Sequence, residues 1–256
     1  MPRWLVAVLL LVALAYLGLC GVLYAYQRSM IYFPQAAAPA AGLESRIVEM
    51  NGERVHVGVR ESGGRGAVLY FGGNAEDVGY AAPDLAAAFP GRALYLMHYR
   101  GYGDSSGKPS QAGIVADALA LYDLVQPLHP GIVVIGRSLG SGVAARLASV
   151  RPVARLVLVT PYDSLVGIAQ KQFPVFPVRW LLIDKYESWR YVPRITAPVL
   201  ILRAESDELI PAASTEALRD RFPAGQVRYV VVPASHNTIL DDPLYVRALA
   251  AFDAGS

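Results

Sequence analysis

The sequence predicts an α/β fold in which one open, mostly parallel central sheet carries helices on both faces. An amino-terminal antiparallel hairpin leads into the sheet, and a single transmembrane helix precedes it. Three patterns carry this expectation. Short unbroken apolar runs at 67–71, 93–97, 132–135, 156–160, 199–202 and 227–232 have the length and continuity of strands buried on both faces. Stretches of helical composition at 81–89, 114–125, 139–150, 214–222 and 243–252 alternate with them, the β-then-α rhythm of a parallel sheet. The third pattern is a much longer apolar run at the amino terminus. With 256 residues, 54% hydrophobic and 17% charged, the chain is too apolar for a disordered tail and suits one ordinary domain.

Residues 4–26 contain no charge. As a helix they extend about 35 Å, more than the roughly 30 Å hydrocarbon core. A buried core helix apolar on every face is unusual in a domain of this size. A cleaved signal peptide has a shorter apolar region closely followed by small residues; here Gln27, Arg28, Ser29, Met30, Ile31, Tyr32 and Phe33 come next. Cys20 loosely suggests a lipoprotein site, but Leu19 stands where that motif needs a small residue. The run is therefore read as a retained anchor, with Trp4, Tyr24, Tyr26 and Tyr32 as interfacial aromatics. Arg3 on one side and Arg28 and Arg46 on the other barely bias the orientation; the expectation is a cytoplasmic amino terminus and an outward-facing main domain.

Residues 27–44, rich in alanine and proline towards their end, are expected to form a tether, and 45–256 the folded domain. The domain opens with alternating apolar and polar residues at 46–50 and 53–59 around Asn51-Gly52, a strong hairpin signal.

Gly136-Arg137-Ser138-Leu139-Gly140 is a G-x-S-x-G motif. It sits where the run 131–135 meets the small-residue helix 143–148, the strand–turn–helix context that exposes a serine hydroxyl at a sheet edge. Ser141 falls on the helix and is read as a packing residue. A serine hydroxyl needs an imidazole to take its proton and a carboxylate to orient that imidazole. Of four histidines, His56 lies in the hairpin, His98 ends a strand and is read as structural, and His129 precedes a strand at the opposite end of the sheet. Only His236 follows the last strand at its carboxyl edge. For the acid, Asp207 stands a few residues past the run 199–202 and just before an apolar Leu-Ile-Pro; Glu205, Glu208 and Asp163 are the alternatives. The order serine, acid, histidine suits this hydrolase architecture.

With these residues in place the sequence resembles the α/β-hydrolase superfamily, and within it the Bem46-like membrane-anchored serine hydrolases. The likeness runs from the apolar amino terminus to His236. Gly72-Gly73-Asn74-Ala75 after the first parallel run looks like the group's oxyanion loop, and 99–110 its long glycine-rich loop, read here as a turn whose charges anchor neighbouring loops. The resemblance implies that the backbone N–H groups of Asn74 and Leu139 hold the oxyanion. Gly72 replaces the group's usual histidine, which leaves the support of that loop in question.

The short interval 161–198, interrupted by Pro174 and Pro177, implies a minimal cap. Phe173, Phe176 and Trp180 in it are divided evenly between core packing and substrate contact. Anchor, composition and family together suggest carboxylic esters or acyl thioesters, lipid-like or acylated, as substrates. A peptidase or amidase on the same triad, or a catalytically silent binding module, are the alternatives. No cofactor is expected: no Walker-type or dinucleotide loop occurs. One cysteine and no Cys/His cluster argue against disulfides and structural metal. A balance of 23 basic against 21 acidic residues, with no dense basic run, gives nucleic acid no footprint. Nothing in the sequence specifies an oligomeric state.

Overall fold

The computed structural model describes residues 1–256 apart from positions 39, 41, 65 and 256. Its strands are β1 (Glu44–Met50), β2 (Glu53–Arg60), β3 (Gly66–Phe71), β4 (Ala93–Met97), β5 (Gly131–Arg137), β6 (Arg155–Val159), β7 (Val199–Ser206) and β8 (Val227–Ser235). They form one sheet in the order β1-β2-β4-β3-β5-β6-β7-β8. The β1–β2 and β2–β4 pairs are antiparallel, and every later pair is parallel. The hairpin turns through Asn51 and Gly52 at φ of 50° and 78°, the left-handed pair that a tight two-residue turn requires.

The helices are α1 (Arg3–Ile31), α2 (Ala82–Ala88), α3 (Gln111–Val125), α4 (Leu139–Ala148), α5 (Leu165–Gln172), α6 (Val178–Leu181), α7 (Ala212–Arg219) and α8 (Pro243–Asp253). Successive strand side chains point to opposite faces. Leu69, Phe71 and Val134 therefore join Ile114, Leu121, Val143 and Leu147 of α3 and α4 in one core. Val68, Tyr70, Val133 and Ile135 join Leu85, Tyr245 and Leu249 of α2 and α8 in the other. Two-sided burial is why these strands read as unbroken apolar runs. From β3 the chain crosses to β4 on one side and from the adjacent β5 to β6 on the other, so the winding reverses between β3 and β5. A crevice opens at such a switch point beyond the carboxyl ends of the strands. In the glycine-rich loop after β4, Arg100 binds the fully buried Asp117 of α3 through two bonds of 2.8 and 2.7 Å. That is the anchoring role expected of the loop's charges.

Helix α1 has a mean hydropathy of 2.7 over its most apolar window, 6% of it buried, and is long and apolar enough to cross a membrane. It continues to Ile31, beyond the apolar run, and the next residues lie along the domain. Phe33 N–H donates to the Asn74 carbonyl, the Gln35 carbonyl accepts from Gly103 N–H, and Ala38 N–H donates to Asp77 Oδ2. Backbone groups, which every residue carries, do the packing that these small side chains do not. Between β6 and β7, α5, α6 and two short 3₁₀ turns form a small cap.

Candidate active site

Strand β5 enters α4 through Ser138, whose φ of 49° and ψ of −116° are strained for a residue with a side chain. The strain, of order 1–3 kcal/mol, is held by its surroundings. Ser138 N–H donates to the Val159 carbonyl at 2.9 Å, and the Ser141 hydroxyl donates to the Ser138 carbonyl at 2.6 Å. The flanking glycines serve close approach: a Cβ on Gly136 would strike the Gly140 carbonyl, and one on Gly140 the Phe71 carbonyl. Ser141 is buried and braces the turn, in keeping with its packing role.

Strands β7 and β8 run further than the apolar runs suggest, to Ser206 and Ser235, so Asp207 and His236 each stand directly at a strand end. His236 Nε2 lies 3.0 Å from Ser138 Oγ. Its Nδ1 lies 2.9 Å and 3.0 Å from the two Asp207 carboxylate oxygens. Asp207 Oδ1 also accepts from the N–H groups of Leu209 and Ile210, which fix the carboxylate. Ser138 and His236 are buried, and the Asp207 side chain is 3% exposed. In this row a proton can pass from the hydroxyl to the imidazole while the carboxylate stabilises the resulting charge.

Asn74 and Leu139 border the same cavity as Ser138. Leu139 opens α4, so its N–H has no acceptor within the helix, and the helix start favours negative charge. The Asn74 loop is fastened from several sides. Its carbonyl accepts from Phe33 N–H and the Tyr102 hydroxyl, its side-chain amide donates to the Ile31 carbonyl, and Gly72 O accepts from Tyr99 and Gly140.

A buried ion pair braces the loop that follows Gly72. Glu76 Oε2 accepts from Gly73 N–H at 2.7 Å and from Arg137 at 2.8 Å, and Oε1 accepts from the Tyr70 hydroxyl at 2.6 Å. Arg137 also donates to the His236 carbonyl at 3.1 Å. One guanidinium thus ties together the serine turn, the Asn74 loop and the histidine loop. Burial works against its charge, but Glu76 and Tyr70 outweigh it and hold the pKa above its ordinary value. Neither residue stands out as a site residue from the sequence alone. The available signal was a charge inside an otherwise apolar strand–turn–helix, which needs a partner.

A cavity of about 500 Å³ opens over Ser138, within the range of small-molecule sites. Its wall is mostly apolar and is shared by three parts: α1 (Leu23, Gln27, Met30), the cap (Leu165, Ile168, Phe176) and the loop after β7 (Leu209, Ile210). Phe173 and Phe176 line it, whereas Trp180 is 83% exposed and does not. Cap and α1 are bonded directly. Gln27 exchanges bonds with the Leu181 carbonyl and Ile183 N–H, while Arg28 and Tyr32 bind the buried Asp184. No local spacing in the sequence encodes this contact, whose partners lie more than 150 residues apart.

The other candidates fall elsewhere. His56 and His98 are buried and stack face to face, with ring centroids 4.3 Å apart. His129 lies near the Tyr95 hydroxyl. Asp163 accepts from Ser214, Glu205 is exposed, and Glu208, also exposed, accepts from His236 N–H at 3.3 Å. Among the described residues no group of His, Cys, Asp and Glu could hold a metal ion.

Comparison with known proteins agrees with this architecture. A family model described as the alpha/beta hydrolase fold matches residues 66–182. An uncharacterized protein of Mycobacterium tuberculosis is 37% identical, with 96% of this chain and 93% of that protein covered. Protein bem46 of Schizosaccharomyces pombe is 28% identical over 91% of this chain and 87% of its own length. Among solved structures, an esterase of Pyrococcus furiosus superposes with a TM-score of 0.72 at 19% identity, covering 88% of this chain and 99% of that one. Est1E of Butyrivibrio proteoclasticus, solved with ferulic acid bound, gives 0.66 at 17% identity, covering 82% and 98%.

Proposed function

The chain belongs to the α/β-hydrolase superfamily and is related to Bem46, and on that footing we propose that it is a membrane-anchored serine hydrolase of carboxylic esters or acyl thioesters. The observation that carries the proposal is the unbroken row Ser138 Oγ, His236 and Asp207 at the floor of an apolar cavity. Ser138 Oγ attacks the acyl carbonyl while His236 Nε2 takes its proton. The N–H groups of Asn74 and Leu139 receive the oxyanion; losing one such donor typically costs about 2.7 to 4 kcal/mol of transition-state stabilisation. As the tetrahedral intermediate collapses, His236 returns the proton to the leaving oxygen or sulfur. Water then attacks the acyl-enzyme, giving its proton to His236, and releases the carboxylic acid.

Anchoring through α1 is supported by its exposure. A core helix of a water-soluble domain buries its apolar side chains, whereas nearly all of this one is bare. The bonds of Gln27, Arg28 and Tyr32 into the cap support retention of the helix end rather than its removal as a leader. In the proposed topology the amino terminus is cytoplasmic and the domain faces outward; a carboxyl-terminal reporter active only in the cytoplasm would reverse it.

A fluorophosphonate probe applied to the purified chain is expected to label Ser138, with labelling abolished in Ser138→Ala. Ester turnover in that variant is expected to fall by about 10⁶, as in a comparable triad, with an unchanged melting profile. Retained turnover refutes the assignment.

A further inference from the structure

We infer that the tip of the cap lies inside the bilayer, and that Ser138 is reached by the acyl chain of a leaflet lipid passing from the hydrocarbon core into the cavity between α1 and the cap. This names the substrate class for the hydrolase reading above and rests on it. Trp4 to Tyr16 is twelve rises, about 18 Å of helix, short of the roughly 30 Å that a span needs. The span must therefore continue to about residue 24, about 12 Å beyond Tyr16. Yet the Tyr16 hydroxyl donates to the Val175 carbonyl at 2.8 Å, and its ring stacks on Phe176 with centroids 5.7 Å apart. If α1 crosses the membrane, Val175 and Phe176 are immersed.

The tip is built for that environment. Residues 173–178 carry no charge, and Val175 is 70% exposed. Irregular backbone in hydrocarbon is penalised for each unpaired polar group, and here the carbonyls are covered. The two N–H groups of Gln170 Nε2 are shared among those of Phe173, Pro174 and Phe176 at 3.1–3.3 Å, and the Tyr16 hydroxyl donates to that of Val175. Pro174 and Pro177 have no N–H to satisfy. Trp180, 83% exposed, sits one residue from Leu181, whose carbonyl bonds Gln27. That places an indole at the level where interfacial tryptophans collect.

The cavity completes the route. Along α1 its wall begins at Leu23, level with the bilayer boundary, and ends at Ile31 beside Asn74, about 12 Å away. A lipid chain can follow this wall with its carbonyl at Ser138 and its methyl end towards the membrane. Its acyl C–O bond breaks as the bond to Ser138 Oγ forms, the alcohol leaves with the proton from His236, and water later frees the fatty acid.

The test uses the full chain in phosphatidylcholine vesicles. In a Cys20→Ser background, Val175→Cys is labelled with an environment-sensitive fluorophore. Lipids with nitroxides in mid-chain are expected to quench it more strongly than headgroup nitroxides; water-like emission without quenching overturns the immersion. Separately, Val175→Asp is expected to lower hydrolysis of a long-chain ester lipid in the vesicles by about tenfold or more, since a charge is disfavoured at that depth. Its hydrolysis of a soluble acetyl ester in detergent should not change. Undiminished vesicle hydrolysis, or cleavage of an S-acyl peptide but not of the lipid, overturns the proposed entry of a lipid chain. Failure of the serine-hydrolase reading itself appears differently, as absence of fluorophosphonate labelling in the parent chain, and leaves the depth measurement valid.

Discussion

Asp207 offers both carboxylate oxygens to one imidazole nitrogen and fixes itself with two backbone N–H groups. Asp207→Asn keeps the shape but presents an amide that favours the wrong imidazole tautomer. Turnover is expected to fall by about 10⁴, measured as kcat at constant fold by circular dichroism. Glu76 poses a different question, because it touches no reacting atom in the proposed mechanism. Glu76→Gln preserves the acceptor for Gly73 N–H but leaves Arg137 as a buried charge without its partner, a change that costs about 3 kcal/mol or more of stability. A positioning role predicts, beyond the lower urea midpoint, a fall in kcat with KM little changed, because the Asn74 loop and the His236 loop loosen together. Ser138, Asp207 and His236 were legible in the sequence because each has an address, at the carboxyl end of a strand. Glu76 and Arg137 were not, since their meeting depends on how two loops fold over the sheet, which no local spacing encodes.

Strands were legible where an apolar run marks them, and their ends were misjudged where the run gives way to polar residues. β7 and β8 extend past their apolar runs because backbone pairing continues from Ala204 and Val232, both still buried in the core, to Ser206 and Ser235 across a bulge. The antiparallel join of β2 and β4 holds another feature of element scale, the stacked His56 and His98, bridged by His98 N–H donating to the His56 carbonyl. Burial, and then the neighbouring His56, push the His98 pKa down to about 4, while Asp77 and Asp104 oppose the shift; burial lowers that of His56 as well. Unfolded histidine titrates near 6.5. Between these values the unfolded chain binds more protons than the folded one, so stability rises with pH there and is lost as pH falls from about 6.5 towards 4. For His98 the loss amounts to about 3 kcal/mol. His98→Phe, which keeps a ring in the stack, is expected to flatten the pH dependence of the urea midpoint over that window. An unchanged slope removes His98 from the account.

At the scale of the molecule, the apolar amino-terminal helix and the hydrolase domain were legible as separate parts and their joint was not. Gln27 and Arg28 read as the polar end of an apolar run, and only the folded chain brings them to Leu181 and Asp184. The consequence is that α1 supplies one wall of the cavity over Ser138. An anchor that only tethers could be removed without altering selectivity; a wall could not. Each methylene transferred from water to an apolar wall contributes about 0.8 kcal/mol, close to fourfold in binding. For the full chain in detergent, kcat/KM on nitrophenyl esters is therefore expected to climb with acyl length until the cavity is filled. In a chain lacking residues 1–26, Leu23, the far end of that wall, is gone. The climb should end at a shorter acyl length while the acetyl ester is turned over as before. Parallel chain-length profiles for the two forms would show that α1 is a tether alone, and activity confined to acetyl esters in both would exclude acyl chains as the substrate feature this cavity selects.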